Sequence, residues 1–428
     1  MDIKKLYEIY RNNGFKVTTD SRQVSTGAIF FALRGEKFDG NTFAQSAIDK
    51  GAAIAVIDNP DYQIPGKTFL VNDALKTLQE LAHYHRRQLD IPVIGITGTA
   101  GKTTTKELIK AVLQQKYKTF ATEGNLNNHI GVPLSLLKIK PGTEIAVIEM
   151  GASYPGDIKL LCDIARPDHG LITNIGTAHI QGFGSRENLI KTKTELYRHL
   201  EQNNGTIFIN IDDKLLTSLT AHDKLYTYGT ADQAQVRGIS LGINPFLTFN
   251  FFDREKTYTV NTKLFGEYNF YNALAAVAAG KYFDVPPEKI KTAIETYQPQ
   301  NQRSQIIKTD KNTLIADLYN ANPTSMSQAL KSFAKINANN KILIIGDMLE
   351  LGGIEEQEHA KILQLAKELG LENIYLVGKI FGKVNNKYPH FETSDELREF
   401  LQKNPVSNAT ILLKASRGIH LEKLLDVL

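Results

Sequence analysis

The run ITGTAGKTTTKE, residues 96–107, constrains this chain more than any other stretch. It overlaps the end of an apolar segment, IPVIGIT, and leads into a helical pattern, so a strand, a glycine-bracketed turn and a helix follow one another directly. The strict pattern G-x-x-x-x-G-K-[ST] is not met, because Gly95 and Gly101 are separated by five residues where it wants four. The context carries the reading instead. Gly98 and Gly101 let the backbone N–H groups around Thr99 and Ala100 turn inward on an anion, the helix starting near Lys102 presents its positive end, and Lys102 adds a full charge. Thr104 continues the turn, and Thr103 stands where a hydroxyl can ligate magnesium. A glycine-rich turn with a mere surface lysine is the plainer alternative. The order of strand, glycines, lysine and hydroxyl favours a loop for the β and γ phosphates of ATP.

With 428 residues the chain exceeds what one hydrophobic core organises, and its pattern falls into three blocks. An opening amphipathic helix, with Ile3, Leu6, Tyr7 and Tyr10 on one face and Gly14 as its stop, is followed by short strand-like runs AIFFAL, AIAVID and KTFLV and the helical pattern ALKTLQELAHYHRRQL. From residue 91 the rhythm is strand, helix, strand, helix, with buried-strand candidates VIGIT, EIAVIEM, GLITNIG and TIFINID. Between about residues 236 and 265 it changes to alternating runs, FLTFNFF and KTYTVNTKLF, that read as antiparallel hairpins added to a parallel sheet. A polar linker, QPQNQRSQ, precedes a further α/β alternation of TLIADLY, KILIIGDM, NIYLVG and ATILLKAS. The expected fold class is therefore α/β in three domains, residues 1–90, 91–298 and 299–428: a small α/β unit, a doubly wound phosphate-loop domain with appended antiparallel strands, and a Rossmann-like α/β domain.

The formal charge of +4 is small and its basic residues are dispersed, which argues against nucleic acid and for anionic small molecules. No apolar run is long enough to span a bilayer, so no membrane insertion is expected. Cys162 is the only cysteine, which excludes an intramolecular disulfide and a cysteine-based metal site and suggests a cytoplasmic location. Ligands of open α/β sheets gather outside the carboxyl ends of strands. There this sequence sets Glu149 in EMGAS, His179 in NIGTAH, and amides including Asn127 and Asn128 in TEGNLNNHIGVP. A carboxylate, an imidazole and amides converging at one edge suit Mg²⁺ and a phosphate-bearing substrate. Lys193, in NLIKTKTELY, reads on its own as a solvated helix face.

These pieces together resemble the Mur ligase family of ATP-dependent amide-bond-forming enzymes. TGTAGKTTTKE, GNLNNHIGVP, EMGAS, NIGTAH, KTKTELY and GEYNFYNALAA are similar in order and spacing to that family's central domain. DLYNANPTSM, GDMLELG followed by His359, and KASR at residues 414–417 resemble the subgroup that joins D-alanyl-D-alanine to a UDP-N-acetylmuramoyl-tripeptide. Tyr268 departs from the pattern, which commonly has histidine before Asn269. The resemblance implies that the first domain binds UDP through Ser21, Arg22, Asp39, Gly40 and Asn41. It implies that Lys102 and the loop amides hold ATP phosphates and that Thr103 and Glu149 hold one Mg²⁺, with His179 helping to bind a second. Lys193 would be carbamylated by CO₂ into a magnesium ligand, so that catalytic roles fall to Lys102, Lys193 and His179. Asn269 and Asn272 would face the adenine, Arg303 and Asp317 would reach the γ-phosphate and ribose, and Tyr319, Asn320 and Asn322 would lie near the incoming dipeptide. A monomer is expected. A sister ligase adding a different amino acid, or a nucleotide-driven switch, remains the competing reading.

Overall fold

The computed structural model describes residues 3–176, 180–300, 302–385 and 387–428. Three principal sheets divide the chain. The first holds Val17–Thr18, Ile29–Phe31, Ile54–Ile57 and Thr68–Leu70, all parallel. The long helix Ala74–Gln88 closes this unit, with Asp73 capping its start and His85, Arg86 and Arg87 in its last turn, where cations complement the helix dipole.

The central sheet has nine strands. From one edge they run Lys256–Phe265, Phe246–Asp253, Val236–Ile243, Leu225–Gly229, Thr206–Asn210, His169–Ile172, Val93–Thr97, Ile145–Glu149 and Thr119–Ala121. The last six and their link to Val236–Ile243 are parallel, and the two hairpin pairings are antiparallel. Val93–Thr97 and Ile145–Glu149 are buried at every position, as strands covered by helices on both faces must be. The chain leaves Val93–Thr97, crosses to the edge, returns, and only then builds outward on the other side. That reversal puts the topological switch point beside this strand, and its carboxyl end opens into the phosphate loop. The third sheet, in order Gln305–Lys308, Thr313–Asp317, Thr410–Lys414, Lys341–Gly346, Ile374–Val377 and His390–Phe391, is parallel except for its first pair.

The seams between these units differ in kind. The first and central units share one apolar core, in which Leu6, Tyr10 and Phe31 pack in the same cluster as Val132, Leu136 and Leu161. Tyr10 donates to Leu137 O at 2.6 Å, and Arg86 reaches Ala165 O at 3.0 Å and Asp168 Oδ2 at 2.8 Å. The third unit meets the central one mainly through polar links: Lys335 with Glu267, and Tyr268 with Ser304 at 2.7 Å. Among the described residues, Phe265 of the central domain enters the third core. Among the described residues no helix is long and apolar enough to cross a membrane.

Candidate active site

The strand Val93–Thr97, a glycine-bracketed turn and the helix Lys102–Leu113 follow one another as the sequence reading expects. Gly98 and Gly101 have φ of 143° and 82°, a region that side chains rarely enter. A Cβ on Gly98 would collide with Thr173 Oγ1, and one on Gly101 would lie 2.6 Å from Asn272 Oδ1. Asn174 clamps the turn: its carbonyl accepts from Thr99 N at 3.0 Å, its Oδ1 accepts from Ala100 N at 3.1 Å, and its Nδ2 donates to Ala100 O at 2.9 Å. The helix Lys102–Leu113 then starts with no side-chain cap, so its first N–H groups have no acceptor within the helix and face the cleft. Lys102 Nζ folds back onto Gly98 O at 2.8 Å and Thr99 O at 3.2 Å. Burial pulls its ammonium down from the ordinary lysine range; Glu149 offsets this in part, and Arg303 adds repulsion. A desolvated cation beside unpaired N–H groups is a seat for an anion.

Glu149 ends the neighbouring strand, in register with Ile96, and is almost fully buried. Thr103 Oγ1 donates to its Oε2 at 2.9 Å, and Asn127 Nδ2 donates to its Oε1 at 2.8 Å. Among the described residues no group of three or more His, Cys, Asp or Glu side chains forms a metal cage. One hydroxyl and one carboxylate still fit Mg²⁺, which keeps several waters and takes further oxygens from substrate phosphates. His179 lies outside the described residues. Lys193 is buried and does not line the cleft; its Nζ sits 5.9 Å from the Phe183 ring centroid. Burial, and then the charge of Lys102, push its ammonium far below the ordinary lysine range, against the pull of Asp157 and Glu195.

The cleft, about 600 Å³, is walled by both the central and third units. Thr99 to Thr104, Asn127, Asn128, Asn269 and Asn272 line one side; Arg303, Asp317, Tyr319, Asn320 and Asn322 line the other. Several of these side chains already have partners. Asn272 Oδ1 accepts from Thr105 Oγ1 at 3.0 Å and its Nδ2 donates to Asn269 Oδ1 at 2.8 Å, so this pair braces Gly101 from behind. Asn128 Oδ1 caps Gly131 N at 2.8 Å. The Arg303 guanidinium carbon lies 3.4 Å from the Tyr319 ring centroid. Asn322 caps the helix Pro323–Lys335 in a capping box with Ser325. His359 accepts from Met348 N at 2.9 Å and bonds Glu355 O at 2.7 Å, so it fixes the loop that carries Glu350 into the cleft.

Ser21, Arg22, Asp39, Gly40 and Asn41 do not line this cleft. Arg22 pairs with Asp20 at 2.8 Å and is widely exposed. Asn41 is fully buried, with its Nδ2 on Asp39 Oδ1 at 2.7 Å and Asp58 Oδ1 at 2.9 Å, and its Oδ1 accepting Asp58 N at 3.0 Å. It holds the turn. Gly40 packs so closely on the Leu33 backbone that a Cβ would not fit, so it too shapes the turn.

Three contributors were not foreseen. Asn174 opens NIGTAH, where a polar residue directly after a buried strand is the available signal. Lys414 ends its strand in register with Asp317 and pairs with it at 2.5 Å while donating to Asn320 O at 3.2 Å. Ser304 links Asp317 Oδ1, through its backbone N–H at 3.3 Å, to Tyr268.

Three family descriptions match the chain: the Mur ligase family catalytic domain over residues 16–111, the Mur ligase middle domain over 96–280, and the Mur ligase glutamate ligase domain over 302–423. A UDP-N-acetylmuramoyl-tripeptide--D-alanyl-D-alanine ligase of Bacillus subtilis (strain 168) is 35% identical over 421 residues, covering 95% of this chain and 92% of that protein. The enzyme of the same name from Escherichia coli (strain K12) is 32% identical over 424 residues, covering 96% and 93%. A crystal structure of MurF from Acinetobacter baumannii superposes with a TM-score of 0.86 at 32% identity, covering 96% of this chain and 92% of the other. MurF ligase from Thermotoga maritima in complex with ADP gives 0.85 at 26% identity and covers 96% of each chain. Its three sheets, its phosphate loop at the switch point and this likeness over nearly its whole length make the chain a member of the Mur ligase family.

Proposed function

We propose that this protein is an ATP-dependent ligase that joins D-alanyl-D-alanine to the terminal carboxylate of a UDP-N-acetylmuramoyl-tripeptide, through an acyl phosphate, in peptidoglycan precursor synthesis. The observation that carries the chemistry is the placement of Lys102, the free helix amides and the Thr103–Glu149 pair in one cleft that the third unit completes with Arg303 and Asp317. The proposal assigns UDP binding to residues 1–90, ATP binding to 91–298 and the incoming dipeptide to 299–428, in a cytoplasmic monomer.

Joining a carboxylate to an amine in water is uphill, so the carboxylate must first be activated. The tripeptide carboxylate attacks the γ-phosphorus, the bond to the β-phosphate oxygen breaks, and ADP leaves. The dipeptide amine then attacks the acyl carbon, loses a proton, and inorganic phosphate departs. Both steps crowd anions together, and Lys102 with the loop amides and Arg303 stabilises them by position and charge. Mg²⁺ bound by Thr103 and Glu149 would supply further neutralisation of phosphate charge. A second Mg²⁺ at His179 and a carbamate on Lys193 complete the proposed metal set; the depressed basicity of Lys193 supports the latter, since only a neutral amine adds to CO₂. Tyr319, Asn320 and Asn322 lie across the cleft from the loop, where the incoming amine must approach.

The test is incubation with ATP, Mg²⁺, D-alanyl-D-alanine and UDP-muramoyl-tripeptides that differ at the third residue. The expected outcome is one UDP-muramoyl-pentapeptide formed per ADP, read by mass spectrometry. ADP release without a covalent product would refute the ligase and favour a nucleotide-driven switch.

A further inference from the structure

Lys106 is a buried charge that the proposed chemistry leaves unused. It stands one turn beyond Lys102 in the helix Lys102–Leu113 and is fully enclosed. Its Nζ donates to Thr122 O at 2.5 Å, pairs with Glu107 Oε1 at 2.9 Å and lies 3.9 Å from Glu149 Oε2. Thr122 Oγ1 in turn accepts the backbone N–H of Glu149 at 3.0 Å. Lys106 therefore holds Glu149 at both ends, the backbone by way of Thr122 and the carboxylate through space. An enclosed ammonium is tolerated only when it is paired, and these partners supply the pairing.

The carboxylate oxygen nearest Lys106 is Oε2, the same atom that Thr103 Oγ1 reaches. A divalent cation shared by Thr103 and Glu149 would thus sit within a few ångströms of a fixed positive charge. Lys106 itself is shut away from water, so salt screens its side of that repulsion little. Nucleotide phosphates bring the negative charge that offsets it. We infer that Lys106 is a positioning residue that makes metal binding at Thr103 and Glu149 conditional on the nucleotide: it balances and orients Glu149 in the empty site and opposes a bare divalent ion there. The metal then enters as a complex with the nucleotide. This inference rests on the proposed reading of the cleft as a Mg²⁺–ATP site.

The test uses Mn²⁺ as the probe, its free concentration read by electron paramagnetic resonance on the full chain, with and without a non-hydrolysable ATP analogue. Lys106→Met removes the charge at similar length, and Lys106→Gln keeps a donor for Thr122 O. The wild type should bind Mn²⁺ far more tightly with the analogue than without. Both variants should bind Mn²⁺ about tenfold or more tightly in the analogue's absence, so that the ratio between the two conditions shrinks. A folded variant whose analogue-free affinity is unchanged or weaker overturns the inference. Glu107→Gln, at a side chain 32% exposed, avoids any disturbance of the core. It removes a carboxylate that shares the Lys106 charge and should weaken analogue-free binding several-fold; unchanged or tighter binding there also overturns the inference. A wild type that fails to bind Mn²⁺ with the analogue would bring down the proposed function itself. Tight binding of the complex with no difference among the variants would bring down the role of Lys106 alone.

Discussion

Lys193 shows how a residue's surroundings change its chemistry. On the sequence it reads as one more solvated lysine of a helix, yet it is buried, and burial, helped by the charge of Lys102, pushes its ammonium far below the ordinary lysine range. Lowered basicity raises the share of neutral amine, the form that adds to CO₂. Supplying ¹³C-bicarbonate should give a carbamate carbonyl signal in the wild type that is absent from Lys193→Ala; identical spectra would remove Lys193 from the metal set. His169 shows the opposite consequence of burial, on stability. Its ring packs against Tyr282 and Phe283, its Nδ1 has no hydrogen-bond partner, and burial brings its pKa down to about 4. The folded-state value is depressed, so the unfolded chain takes up a proton first as pH falls. Its contribution is fully present above the ordinary histidine value and is lost as pH drops toward about 4. The loss should be on the order of 3 kcal/mol, and chemical denaturation at stepped pH should show it flattened in His169→Phe. An unaltered pH profile in that variant would exclude His169 as the source.

Among elements, those buried on both faces were legible in the sequence. VIGIT and TIFIN are continuous apolar runs because parallel strands covered on both sides need them, and each is a buried strand here. Leu225–Gly229 is half-exposed along most of its length, and Arg34–Gly35 and Phe38–Asp39 are two residues each, so none leaves a periodic signal. The site divides in the same way. The phosphate loop is contiguous and could be read directly. The pairing of Asp317 with Lys414 joins residues far apart in the chain, and only the register of two parallel strands brings them together. The helix that begins at Asn269 follows Tyr268, whose hydroxyl reaches across to Ser304 and through it to Asp317. Tyr268→Phe removes that reach and leaves the ring in place. Nucleotide affinity should fall about threefold to tenfold, the worth of one buried hydrogen bond. Calorimetric titration that finds the same affinity would show that this bond does not serve the nucleotide pocket.

For the molecule as a whole, the cleft depends on the third unit, whose Arg303 and Asp317 face the loop across a mainly polar seam. A seam of that kind permits motion between bodies. Small-angle scattering should therefore register a smaller radius of gyration when an ATP analogue and UDP-muramoyl-tripeptide are both present, as closure excludes water from the acyl phosphate. Identical curves would place the hinge elsewhere or remove it. The three-part division was legible because hydrophobic rhythm changes at the linkers. The inequality of the two seams was not, because it depends on which surfaces meet.

That inequality bears on how such a chain can acquire new chemistry. On the proposed reading, the unit that would receive the amine is attached mainly by polar contacts, while the one that would hold the carboxylate donor shares an apolar core with the central unit. A graft of another family member's C-terminal segment, joined within residues 298–305, would leave the core shared by the first two units intact and ask Phe265 to repack against the new segment. On that reading the choice of nucleophile could be exchanged like a tool head, with the core beneath the loop left undisturbed.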